Sequence, residues 1–141
     1  MLKDRFFILL FFALVVVGVV HVTGNLFFLY WKFPWLDIIS HFFGGFWVGG
    51  AALLIYSRTH INRFDSKKWL HVILLALVTG LAVGVMWEIF EVFIELTNLP
   101  NEKYFSDTVA DLVFDTIGAF IAALSFLYCS NQRHFSMLSN R

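Results

Sequence analysis

The sequence predicts an all-α fold, a four-helix transmembrane bundle with both termini cytoplasmic. Three observations carry this reading. The chain of 141 residues is 60% hydrophobic and 14% charged, with a mean hydropathy of +0.78, the composition of an integral membrane protein. Its apolar residues fall into four runs of the ~20 residues that a helix needs to cross the hydrocarbon. Those runs lack strict alternation and are too long for barrel strands. Together they use most of the chain, so residues 1–141 read as a single transmembrane domain with no separate soluble part.

The first helix is expected over about 6–26. Residues 1–24 begin like a signal peptide, with Lys3 and Arg5 before an apolar run. No small-residue cleavage site follows Val20, so the segment reads as an uncleaved first span. The second helix, about 36–57, follows Pro34. The third, about 69–97, ends at the breakers Asn98, Pro100 and Asn101. The fourth, about 107–129, has Ser106 or Asp107 as its N-cap.

Lysine and arginine set the orientation. Lys3, Arg5, Arg58, Arg63, Lys67, Lys68, Arg133 and Arg141 fall on one side of these spans, and only Lys32 and Lys103 on the other. By the positive-inside rule the larger group is cytoplasmic. Tyr30, Trp31, Trp35 and Tyr104 then form an outer aromatic belt, and Tyr56, Trp69 and Tyr128 an inner one. Net charge is zero and no basic run occurs, which excludes a nucleic-acid partner. The single Cys129 excludes an intrachain disulfide and a cysteine-rich metal site.

The acidic residues locate the expected site. Asp37, Glu88, Glu91, Glu95, Glu102, Asp107, Asp111 and Asp115 all fall toward the outer side of alternating spans. Asp37 and His41 stand at i, i+4; Glu88, Glu91 and Glu95 at i, i+3, i+7; Asp107, Asp111 and Asp115 at i, i+4, i+8. Each set shares a helix face. At ~1.5 Å per residue, Asp115 lies about 20 Å above Tyr128, His41 about 22 Å above Tyr56 and His21 about 24 Å above Arg5. These three sit just inside the outer boundary, whereas Glu91, Glu95 and Asp107 lie at or beyond it. An outward-open polar pocket is expected.

Like charges at close range cannot all ionise, so either some carboxyls hold protons or a cation sits among them. Carboxylates with an imidazole suit a divalent metal ion: Mg²⁺, Mn²⁺ or Zn²⁺. The expected metal-binding residues are Asp37, His41, Glu88, Asp111 and Asp115, with Glu91 as a further ligand or catalytic general base. The ordinary reading of Glu95, Glu102 and Asp107 is solvated helix-end charge, and that of His21 a structural polar residue. Gly45 and Gly49, and Gly80 and Gly84, form G-x-x-x-G pairs that bring helices close.

The motif Asp37-Ile-Ile-Ser-His41-Phe42 resembles the Asp-x-x-x-His-Phe opening of VanZ-like membrane proteins. Asp111-Leu-Val-Phe-Asp115-Thr-Ile-Gly118-Ala119 resembles their late Asp-x-x-x-Asn-x-x-Gly-Ala. Glu88 and Glu91 replace that family's Glu-Gln, Asp115 replaces its Asn, and Lys103 stands nearest its usual Arg. The paired glutamates and the Asp in place of Asn resemble the YjdF-type inner-membrane proteins. The resemblance implies a small multi-pass protein of the bacterial cytoplasmic (inner) membrane, associated with the cell envelope.

The functional expectation is a metal-dependent membrane protein, of the hydrolase class, acting on a lipid-linked or cell-envelope substrate. A proton- or cation-coupled carrier and a non-catalytic assembly subunit stay open as alternatives. Membrane lipid is the one expected partner; the sequence leaves the oligomeric state open.

Overall fold

The computed structural model describes residues 2–59, 69–93 and 101–139, with side chains described at 5–59, 69–93 and 104–131. The described residues are almost wholly helical and contain no strand. They form α1 (Leu2–Leu26), a single-turn α2 (Leu29–Lys32), α3 (Trp35–Thr59), α4 (Trp69–Phe93) and α5 (Asn101–Ser139). Four segments are long and apolar enough to cross a membrane: Arg5–Leu26, Trp35–Thr59, Trp69–Phe93 and Tyr104–Asn131.

The helices run up, down, up and down. Tyr30, just past the end of α1, meets Ser40 near the start of α3, while Leu10 near the start of α1 lies against Gly50 further along α3. His41 of α3 meets Glu88 near the end of α4. His41 and Gly49 lie against Asp115 and Ala119, so α3 and α5 run parallel.

Small residues fix these approaches. A Cβ on Gly45 would strike the Asp115 carbonyl, and one on Gly118 the Phe42 carbonyl. A Cβ on Gly49 or Gly80 would meet the Ala119 methyl at 3.0 and 2.7 Å. Both G-x-x-x-G pairs therefore clamp one stretch of α5, Asp115–Ala119. Van der Waals packing of small residues is the main attraction open to helices in lipid, where apolar burial offers little.

Large apolar side chains pack at the other end of the bundle. Phe6, Leu10, Leu53, Val72, Ala122 and Phe126 are buried together there, and Phe6 meets Phe126 edge-on at 5.1 Å. Outward-facing positions such as Phe7, Phe11, Val78, Phe93 and Ile117 are exposed, as a lipid-facing surface requires.

Two elements differ from the sequence expectation. The fourth helix starts at Asn101, so Ser106 and Asp107 lie inside it and not at its N-cap. The connection after α1 is not a plain loop. Phe28 adopts the left-handed conformation (φ 53°) and turns the chain into α2. Tyr30 then folds inward: its hydroxyl and Ser40 Oγ lie 3.1 Å apart. Burial pushes the Tyr30 phenol above its ordinary pKa. Gly24 makes room, since a Cβ there would meet the Tyr30 ring at 2.5 Å. The end of the expected third helix, 94–97, lies outside the described residues.

Candidate functional site

His41 is the centre of the polar group. It sits two turns into α3, where i, i+4 spacing aligns it with Asp37. Its ring is 5% exposed. Nδ1 lies 3.2 Å from Asp115 Oδ2. With Nδ1–H donating to that carboxylate, Nε2 faces three others: Asp37 Oδ1 at 3.8 Å, Glu88 Oε1 at 3.9 Å and Asp111 Oδ1 at 3.9 Å. Three helices thus deliver four carboxylates to one imidazole.

Burial makes this arrangement costly. Glu88, Asp111 and Asp115 are 6%, 3% and 5% exposed. Glu88 Oε2 accepts a hydrogen bond from Thr108 Oγ1 at 2.8 Å. Glu88 Oε1 is buried with no hydrogen-bond partner. A buried carboxylate oxygen left bare is penalised by its full desolvation, about 1–3 kcal/mol or more. Donor atoms from Asp37, His41 and Asp111 lie within 4.8 Å of one another, a spacing compatible with a metal ion.

A cavity of about 770 Å³ opens beside the group. Asp37, His41 and Asp115 line it, and its wall continues along α1 and α4 through Leu14, Gly18, Val83 and Trp87. Glu88 and Asp111 are not part of that lining. Among the described residues, no Cα atom of α1 comes within 8 Å of one of α4. The His21 and Trp87 rings meet across the space, edge-to-face at 5.7 Å.

All five sequence-derived metal-binding residues come together. They divide by position: Asp37, Glu88 and Asp111 face Nε2, while Asp115 holds Nδ1. Glu91 stands apart from the group, on the cavity wall, where Oε1 accepts from Trp87 Nε1 at 2.8 Å. Asp107 is half-buried and lines the same cavity. Glu95 and the side chain of Glu102 lie outside the described residues. Sequence reasoning missed Thr108 and Trp87. The 108, 111, 115 spacing would have placed Thr108 on the aspartate face; a lone tryptophan among apolar residues carried no such signal.

The family described as "Predicted membrane protein (DUF2238)" matches residues 3–132, nearly the whole chain and every residue of this site. The chain belongs to that family. An "Uncharacterized protein" of Thermotoga maritima is 32% identical to this DUF2238 chain over 107 residues, which is 72% of the chain and 53% of that protein. The chain therefore spans about half the length of the curated relative it matches. No solved structure matches it.

Gly84 ties the helix packing to the site. A Cβ there would collide with the Asp115 carboxylate, with Cγ at 3.1 Å and Leu112 Cδ2 at 3.2 Å. The carboxylate can rotate away, but only by leaving His41 Nδ1. Gly84→Ala is therefore expected to keep the fold and to weaken any ion held on Nε2 about tenfold, the effect of losing an outer partner of a metal-bound histidine. Metal titration of the purified variant checks this; unchanged affinity would show that Asp115 does not orient the ring.

Proposed function

We propose that this membrane protein binds a divalent cation between His41 Nε2 and the carboxylates of Asp37, Glu88 and Asp111. The observation that carries the reading is the bare Glu88 Oε1, buried 3.9 Å from His41 Nε2. A divalent ion with bonds of about 2.0–2.6 Å bridges donor atoms roughly 3–5 Å apart. The spacings around Nε2, 3.8–3.9 Å, fall in that range. Asp115 on Nδ1 supplies the carboxylate–histidine pairing that fixes ring and tautomer at metal sites.

In this reading the kinship to VanZ-like or YjdF-type proteins is real, the membrane is the bacterial inner membrane, and both termini are cytoplasmic. The paired motifs that suggested the resemblance are the ones that converge on His41. A bound ion supplies Lewis acidity or an activated water. Glu91, on the cavity wall one turn beyond Glu88, is the base for a lipid-linked or cell-envelope substrate entering the cavity. A carrier is less well supported. Among the described residues, the opposite half of the bundle is packed with Leu53, Val72, Ala76 and Ala122.

Elemental analysis of purified protein tests the reading. About one divalent ion per chain is expected, removable by chelation, because ligands fixed by the fold bind stoichiometrically. The Glu88→Ala/Asp111→Ala double variant is expected to hold none. Equal metal content in the two proteins would end the proposal.

A further inference from the structure

The cavity between α1 and α4 has a charge character of its own. Among the described residues, its carboxyl lining is Asp37, Glu91, Asp107 and Asp115, two histidines, His21 and His41, stand with them, and no lysine or arginine lines it. Beside these stand the aromatic rings of Phe28, Tyr30, Trp31 and Trp87. Away from them the wall is apolar: Leu14, Val17, Val48 and Val83. Acidic groups with aromatic faces at one end, and hydrocarbon at the other, describe a receptor for an amphiphilic cation. Beside Glu91 and Asp107 a phosphate or carboxylate headgroup would meet like charge.

We propose that this cavity takes a membrane amphiphile bearing a protonated amine or quaternary ammonium, its headgroup beside Glu91 and Asp107 and its chain between α1 and α4. The gap between these two helices is what lets a chain enter from the side. The volume, about 770 Å³, is that of a small-molecule site, which spans roughly 300–1,000 Å³. Gly18 faces its open space: a Cβ there would meet nothing within 4 Å. The inference goes beyond the metal reading and does not rest on it, because Glu91 and Asp107 lie outside the group around His41.

The test compares headgroups on one chain length. Binding of dodecyltrimethylammonium, dodecylamine, dodecanol and dodecyl phosphate to the wild-type protein in neutral detergent is measured by calorimetry. The two ammonium compounds are expected to bind about tenfold more tightly than the alcohol, the scale of a desolvated cation–π and carboxylate site. Gly18→Phe, which fills open space, is expected to weaken all four. Asp107→Asn is expected to shrink the ammonium preference while leaving the alcohol unchanged. Equal binding of alcohol and ammonium, or tighter binding of phosphate, overturns the proposal, as does Gly18→Phe binding like wild type. Metal content measured on the same samples separates this outcome from failure of the cation site.

Discussion

His41→Ala is expected to abolish divalent-metal binding and to lower stability by about 3–5 kcal/mol, the scale of breaking a buried charge pair. The imidazole is the one group that touches Asp37, Glu88, Asp111 and Asp115 together, at 3.2–3.9 Å. Removing it deletes a ligand and the donor to Asp115 in one step. It also leaves Asp111 and Asp115 buried without the imidazole between them. Affinity should fall at least ~100-fold, since even an outer partner of a metal-bound histidine is worth 10–100-fold. Asp115→Asn in the His41→Ala background should recover part of the lost stability, because it removes one of the stranded charges. The double-mutant cycle should show a coupling of about 0.5–3 kcal/mol. Denaturant unfolding in detergent and metal titration read both effects. A His41→Ala protein with a normal unfolding midpoint and normal metal content would dismiss the histidine as the hub.

Gly45→Leu is expected to be the most disruptive change in the helix interfaces. A single added carbon already overlaps the Asp115 backbone. Backbone cannot swing aside as a side chain can, so α3 and α5 must separate. Overpacking of this kind costs about 1–3 kcal/mol and occasionally more, and leucine should reach or exceed the top of that range. Gly118→Ala attacks the same interface from α5, against the Phe42 carbonyl and the Phe46 nitrogen. Because the two share one contact, the double variant should cost less than the sum. Gly18→Ala, facing open space, serves as the matched control. If Gly45→Leu unfolds like Gly18→Ala, the parallel α3–α5 contact is not as close as described.

Much of this was legible in the residues. Hydrophobic runs of span length gave the four helices, because in lipid the backbone has few other ways to satisfy its hydrogen bonds. The i, i+4 spacing of Asp37 with His41 and of Asp111 with Asp115 gave two faces of the polar group. Alternating spans then placed Glu88 beside them. What stayed hidden depended on distances between helices. Nothing in the spacing distinguishes Asp115, on one ring nitrogen, from Asp111, on the other. Glu91 is only three residues from Glu88, yet that rotation carries it out to Trp87 and the cavity wall. The inward fold of Tyr30 follows from the left-handed Phe28, a conformation that residue type does not advertise. The start of α5 at Asn101 was missed because its first turns are polar.

The clamp on Asp115–Ala119 by Gly45, Gly49, Gly80 and Gly84 has an evolutionary corollary. At this end of the bundle main-chain proximity, and not the fit of bulky groups, dictates how α3, α4 and α5 register. The greasy perimeter is thereby uncoupled from the chemistry inside. The phenylalanines and valines that face outward, such as Phe7, Phe11 and Val78, can be traded for other apolar side chains to suit a different bilayer, while a handful of hydrogen-sized positions hold the interior in place.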